Sequence, residues 1–167
     1  MMRVFFDTEL EDTGREIKLI SLGAVREDGK QFYAEMAWKP SPSTDPWIVE
    51  NVARHLRGPS VWLPRADLAR EFNEFAGHDP EFWAYVGAYD WVALCQLYGK
   101  LLDRPGGWPS YYRDVKMLWE MAARPTPPRH FGTTHFALDD AMWTKELFDS
   151  LHRLNWFKMP PLMSEVA

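Results

Sequence analysis

The chain has 167 residues, 46% hydrophobic and 26% charged, with a formal net charge of −5 at pH 7. That length suits one domain with a substantial core, and the composition excludes a disordered chain. The single cysteine, Cys95, excludes an internal disulfide framework, and no apolar run approaches the ~20 residues that span a bilayer.

An acid, Asp7, arrives before any signal-peptide apolar region could form, so a cytoplasmic location is expected. The negative balance speaks against a polyanionic partner unless several acids are metal ligands. Two divalent cations would bring −5 to −1, so charge alone does not exclude nucleic acid. Nine tryptophans in 167 residues raise the question of stacking surfaces or an interface.

In chain order, Met2 to Phe6 reads as a short buried strand ending at Asp7. Glu11 to Gly14 is a turn, and Ile17 to Val25 a second strand. Asp28-Gly29 is a tight hairpin signal before a third strand, Gln31 to Trp38. These three form an antiparallel meander. A Pro- and Ser-rich loop leads to a short helix within Trp47 to Leu56, and Arg57 to Pro64 is irregular. From Arg65 to Phe75, Leu68, Phe72 and Phe75 share one helical face. Phe82 to Val86 is a fourth strand, and Gly87 to Asp90 turns into a helix from about Trp91 to Leu101. A short strand around Tyr112 to Val115 precedes a helix from Lys116 to Ala123. The last helix follows Thr133-Thr134 and runs to about Leu154, with Ala137, Ala141, Leu147 and Leu151 inward. The order is that of an α/β layered domain.

Asp7 and Glu9, two apart on a strand, project from one face, where a divalent cation would convert their repulsion into attraction. Oxygen-only ligands suit Mg²⁺ or Mn²⁺. Such a pair is common by chance in a chain with 24 acids. Asp90, between a strand and a helix, reads on local grounds first as an N-cap, a role that can coexist with metal ligation. Asp139 and Asp140 adjoin on the last helix, so only one faces inward. His135 precedes them in the loop.

Phe6-Asp7-Thr8-Glu9, then Gly87-Ala88-Tyr89-Asp90, then His135-x-Ala137-x-x-Asp140 resemble, in order, the three motifs of the DEDDh 3′–5′ exonucleases. That group includes ribonuclease T, oligoribonuclease and the bacterial proofreading exonuclease. The Leu19 to Gly23 and Trp83 to Leu97 stretches resemble its mycobacterial 3′–5′ exoribonuclease-like branch, and the likeness spans about residues 2 to 150.

The resemblance implies a ribonuclease H-like fold with a mixed central sheet, antiparallel in its first three strands and flanked by helices. It implies two Mg²⁺ ions, replaceable by Mn²⁺, held by Asp7, Glu9, Asp90 and Asp140, with His135 as general base. The expected substrate is the 3′ end of single-stranded or 3′-overhanging RNA, and the product a nucleoside 5′-monophosphate. DNA as substrate, or a nucleotide-binding module on the same fold, stays open. Thr8, Leu10, Tyr89 and Arg129 are expected substrate contacts. Leu10 stands where the branch usually has Phe, which puts affinity for the terminal base in question more than the chemistry. Arg124 and His130 are further candidate phosphate contacts, against a reading as solvated charge. Residues 1–155 are expected to form the domain and 156–167 a tail. A homodimer is also expected, with Trp143, Trp156 and Phe157 as candidate contacts.

Overall fold

A computed structural model describes residues 1–153. Leu154, Trp156, Phe157 and the tail at 156–167 lie outside the described residues. Five strands form one sheet in the order β3-β2-β1-β4-β5. The long strands β1 (Met2–Asp12) and β2 (Ile17–Arg26) and the shorter β3 (Gln31–Glu35) form the antiparallel meander. Parallel to β1 lies β4 (Pro80–Ala84), and parallel to β4 lies the two-residue β5 (Arg113–Asp114), so the sheet is mixed.

Alternation along β1 sends consecutive side chains to opposite faces. Val4 and Phe6 join Leu22, Phe82 and the buried faces of α2 (Arg65–Ala76) and α3 (Ala88–Gln96). Phe5, with Val25 and Trp83, packs against Val115 of α4 (Val115–Met121) and Leu147, Phe148 and Leu151 of α5 (Ala137–Arg153). The result is a helix–sheet–helix sandwich with two apolar cores. A smaller cluster joins Ile20 to Ile48 and Val52 at α1 (Pro46–Asn51). Trp83, Trp91 and Trp108 are buried, so three of the eight tryptophans among the described residues serve the interior.

Two features of β1 prepare a crevice toward its carboxyl end. Its pairing with β4 runs only from Met2↔Pro80 to Phe5↔Trp83, so from Phe6 onward that edge of β1 has no strand beside it. Parallel strands that part in this way leave a crevice beyond their carboxyl ends, the usual ligand position in α/β sheets. The β1–β2 register also slips: Glu9 pairs with Ser21 but Leu10 with Leu19. A bulge of this kind re-aims side chains and adds local twist.

Several boundaries differ from those read in the sequence. β1 runs on to Asp12 because β2 continues to pair with it through the expected turn. β4 stops at Ala84, and Val86 takes a left-handed φ of 57° with its N–H on the Asp114 carboxylate. That sharp exit lets α3 begin at Ala88, earlier than expected, and puts Asp90 inside its first turn. β3 ends at Glu35, which is wholly buried. Its carboxylate accepts from the backbone N–H groups of Arg57 and Gly58, the Trp62 indole and the Tyr33 hydroxyl, which organises the irregular 57–64 stretch.

Candidate active site

Asp7 and Glu9 stand on the free-edged part of β1, Asp90 in the first turn of α3, and Asp140 in the first turn of α5. Three elements distant in sequence thus converge where β1 leaves β4. Glycine makes the approach of α5 feasible. Gly23 pairs with Asp7 across the β1–β2 ladder, and a Cβ there would run into the backbone of Ala137 and Leu138. Ala137 and Ala141 are fully buried at the same contact, so the helix start lies directly on the sheet beside Asp7.

Hydrogen bonds hold Asp90 and Asp140 in place. The Asp90 carboxylate accepts from the Thr8 N–H at 2.8 Å and the Thr8 hydroxyl at 2.6 Å. Asp90 is therefore not a helix cap; it ties α3 to the centre of β1. Asp139 turns outward and accepts from the Thr133 N–H at 2.7 Å, bracing the loop before α5. Asp140 turns inward. One of its oxygens accepts from the His135 backbone N–H at 2.9 Å, and the other lies 2.7 Å from His130 Nε2. His135 holds a left-handed φ of 62°, a strained conformation for a residue with a Cβ that costs on the order of 1–3 kcal/mol. Donor atoms of Glu9, His135 and Asp140 lie within 4.8 Å of one another.

Four carboxylates gathered in this way repel. Burial, then Asp90, Glu9 and Asp140, raise the Asp7 carboxyl well above its ordinary range. Burial, with Asp140 and Asp90, pushes Glu9 up to about 8. Burial also raises Asp90 and Asp140, although Thr8 relieves the first and His130 the second. Such an all-oxygen donor set, electrostatically unfavourable by itself, fits hard divalent cations. Among the described residues, Glu9, Asp140 and His135 offer donor atoms close enough together to hold such a cation, and Asp7 and Asp90 add negative charge beside them.

The expected substrate contacts are placed variously. Thr8 is buried behind Asp90, Leu10 is half-buried on β1, and Tyr89 stands 54% exposed beside Asp90. Arg129 is exposed, its guanidinium 5.8 Å from the Phe131 ring. Arg124 pairs with Glu120 and covers Trp119. His130 is instead in contact with Asp140, and its Nδ1 lies 3.2 Å from the Gly132 carbonyl. Trp143 donates to the Pro128 carbonyl and packs on Tyr85 and His130, bracing that same loop. Trp47, at the start of α1, is not among the residues expected from the sequence, yet its ring meets His135 edge to face at 4.8 Å. No local signal marks either His130 or Trp47, since both roles depend on long-range folding.

A family model for the Rv2179c-like 3′–5′ exoribonuclease domain matches residues 2–151. The chain belongs to this family. It is 38% identical over 146 residues to the 3′–5′ exoribonuclease Rv2179c of Mycobacterium tuberculosis, covering 84% of this chain and 87% of that protein. Among solved structures, exonuclease I is similar with a TM-score of 0.64 at 14% identity over 92% of this chain. The chain spans 41% of that protein's length. The cell-death related nuclease CRN-4 is similar with a TM-score of 0.52 at 10% identity, over 92% of this chain and 64% of that one. The mixed sheet and its helices are thus the ribonuclease H-like nuclease fold expected from the motifs, and the chain is a nuclease. No helix of the described residues is long and apolar enough to cross a membrane.

Proposed function

We propose that this chain is a metal-dependent 3′–5′ exoribonuclease that removes terminal nucleotides from single-stranded or 3′-overhanging RNA as nucleoside 5′-monophosphates. The observation that carries this reading is the convergence of Asp7, Glu9, Asp90 and Asp140 in one crevice with the His135 side chain at its rim. The four carboxylates would hold two Mg²⁺ ions, which Mn²⁺ could replace. When bound, such cations neutralise the phosphate and stabilise the attacking and leaving oxygens. Without that neutralisation these acids would repel a phosphodiester.

His135 supports the general-base role by position. Its ring is exposed to solvent on one side and shares the crevice with Glu9 and Asp140 on the other. An imidazole there accepts the proton of the attacking water as the water oxygen bonds to phosphorus. The P–O3′ bond breaks, and the departing 3′ oxygen takes a proton from solvent. Thr8 keeps Asp90 aimed into the crevice, and His130 does the same for Asp140. Trp47 limits the rotation of the His135 ring. Leu10 is assigned to the terminal base, and Tyr89 and Arg129 to the bases and phosphates of the bound strand. A cytoplasmic setting suits the free, buried Cys95. The homodimer stays part of this reading, although Trp143 is engaged within the fold.

A specific observation favours a second substrate: similar solved structures include exonuclease I of E. coli in complex with single-stranded DNA. Matched end-labelled single-stranded RNA and DNA, incubated with Mg²⁺ or with EDTA, separate the readings. A 3′-shortening ladder on RNA, abolished by EDTA and by His135→Ala, is expected. A ladder on DNA alone would move the assignment to a DNA exonuclease. Binding without cleavage of either strand would leave a binding module.

A further inference from the structure

A sizeable open cavity of the described fold lies next to the helix that carries Asp90 rather than among the four acids. It has a volume of about 800 Å³ and opens between the β1–β2 hairpin tip and α3. That places it toward the upper end of the ~300–1,000 Å³ typical of ligand pockets. Its wall carries Arg15 and Lys18 from the hairpin, Arg65 from the start of α2 and Tyr89 from α3. Tyr89 adjoins Asp90 in the first turn of α3, so one helix start contributes a residue to the cavity and an acid to the crevice.

We propose that this cavity receives the part of the RNA strand beyond the scissile nucleotide, its phosphates meeting Arg15, Lys18 and Arg65 and a base stacking on Tyr89. The inference rests on the exoribonuclease reading of the neighbouring crevice. Three cations line the cavity against two acids, Asp12 and Glu16, and the Asp12 carboxylate is engaged by the Gly14 N–H at 2.7 Å. The cations are only lightly committed within the fold. Among the described residues the Arg15 side chain has no hydrogen bond or ion pair. Lys18 has one long contact, 3.9 Å to Glu11, and Arg65 donates through Nε to the Leu97 carbonyl at 3.4 Å. Cations held beside an open space, next to an exposed aromatic ring, are what a single strand needs: charge along its backbone and a surface for its bases. In a chain of net charge −5 the cavity carries a local excess of one positive charge, a setting in which an extended polyanion gains more contacts than a mononucleotide.

Arg15→Glu tests this, because the side chain sits at a turn with nothing to break. Steady-state hydrolysis is measured on a diribonucleotide and on a longer single-stranded oligoribonucleotide. Anisotropy of the labelled longer strand is followed in EDTA across a salt series. We expect KM for the longer RNA to rise roughly 10-fold with kcat retained, the diribonucleotide to be unaffected, and the salt slope of binding to fall by about one. Arg65→Gln, which keeps a donor for Leu97, should act in the same direction with an unchanged melting temperature. Equal effects on both substrates, or no effect on the longer one, would overturn the assignment. A wild type that hydrolyses neither RNA defeats the exoribonuclease reading, while the anisotropy series still reports on the cavity.

Discussion

Replacing Glu9 by Gln is the sharpest test of the claim that this crevice is electrostatically unfavourable until cations fill it. Glu9 has its pKa raised from 4.5 to about 8, chiefly by burial and then by Asp140 and Asp90. A carboxyl raised on folding contributes stability that is fully present below about pH 4.5 and is lost as pH rises toward about 8. Between 4.5 and neutrality, at about 1.4 kcal/mol per pH unit, the penalty reaches on the order of 3 kcal/mol. The amide removes this titration and relieves the repulsion on Asp7. In EDTA at about pH 7, Glu9→Gln should therefore melt above wild type, by roughly 6–12 °C if a kcal/mol is worth ~2–4 °C in a chain of this size. The difference should close on acidification toward pH 4.5. Added Mg²⁺ should raise the melting temperature of wild type and leave the variant nearly unmoved. Differential scanning fluorimetry across pH, with EDTA and with Mg²⁺, reads all of this. Parallel melting curves for the two proteins, or a wild type that loses stability on acidification over that window, would refute the reasoning.

Other perturbations probe the supports. Gly23→Ala should destabilise by ~1–3 kcal/mol or more, because a methyl group meets the backbone of α5; urea denaturation measures it. Thr8→Val removes the hydroxyl donor to Asp90 and leaves its carboxylate less well solvated, so a loss of ~1–3 kcal/mol in EDTA is expected, with a matching drop in turnover. His130→Ala should weaken Mn²⁺ affinity by roughly 10–100-fold in a calorimetric titration without altering the circular dichroism spectrum. His135→Ala should lower kcat by ~10²–10⁴-fold while the fold is kept, and a wild-type rate would remove His135 from the mechanism.

Much of the architecture is written in local pattern. The apolar run of β1, the Asp28-Gly29 hairpin and the Leu68, Phe72 and Phe75 face of α2 follow from strand alternation and helical period, which neighbouring residues carry by themselves. Element ends are less legible. The left-handed turn at Val86 sets where β4 stops and α3 starts, and it depends on a hydrogen bond to Asp114, 28 positions away. Asp90 by itself reads first as a cap, and the structure decides against that because Gly87 takes the cap position and Thr8, 82 positions away, reaches the Asp90 carboxylate.

By itself the sequence carried the α/β order and a likeness to the 3′–5′ exonucleases, because three short motifs in order hold both the acids and the small residues around them. Tertiary structure decided which acid of the Asp139-Asp140 pair turns inward, that His130 serves Asp140, and that Trp47 meets His135. It also placed Arg15, Lys18 and Arg65, from a hairpin and a distant helix, around one cavity beside the crevice. The physical reason is common to all of these: each is a contact between segments brought together by packing across the sheet, and no local periodicity records it.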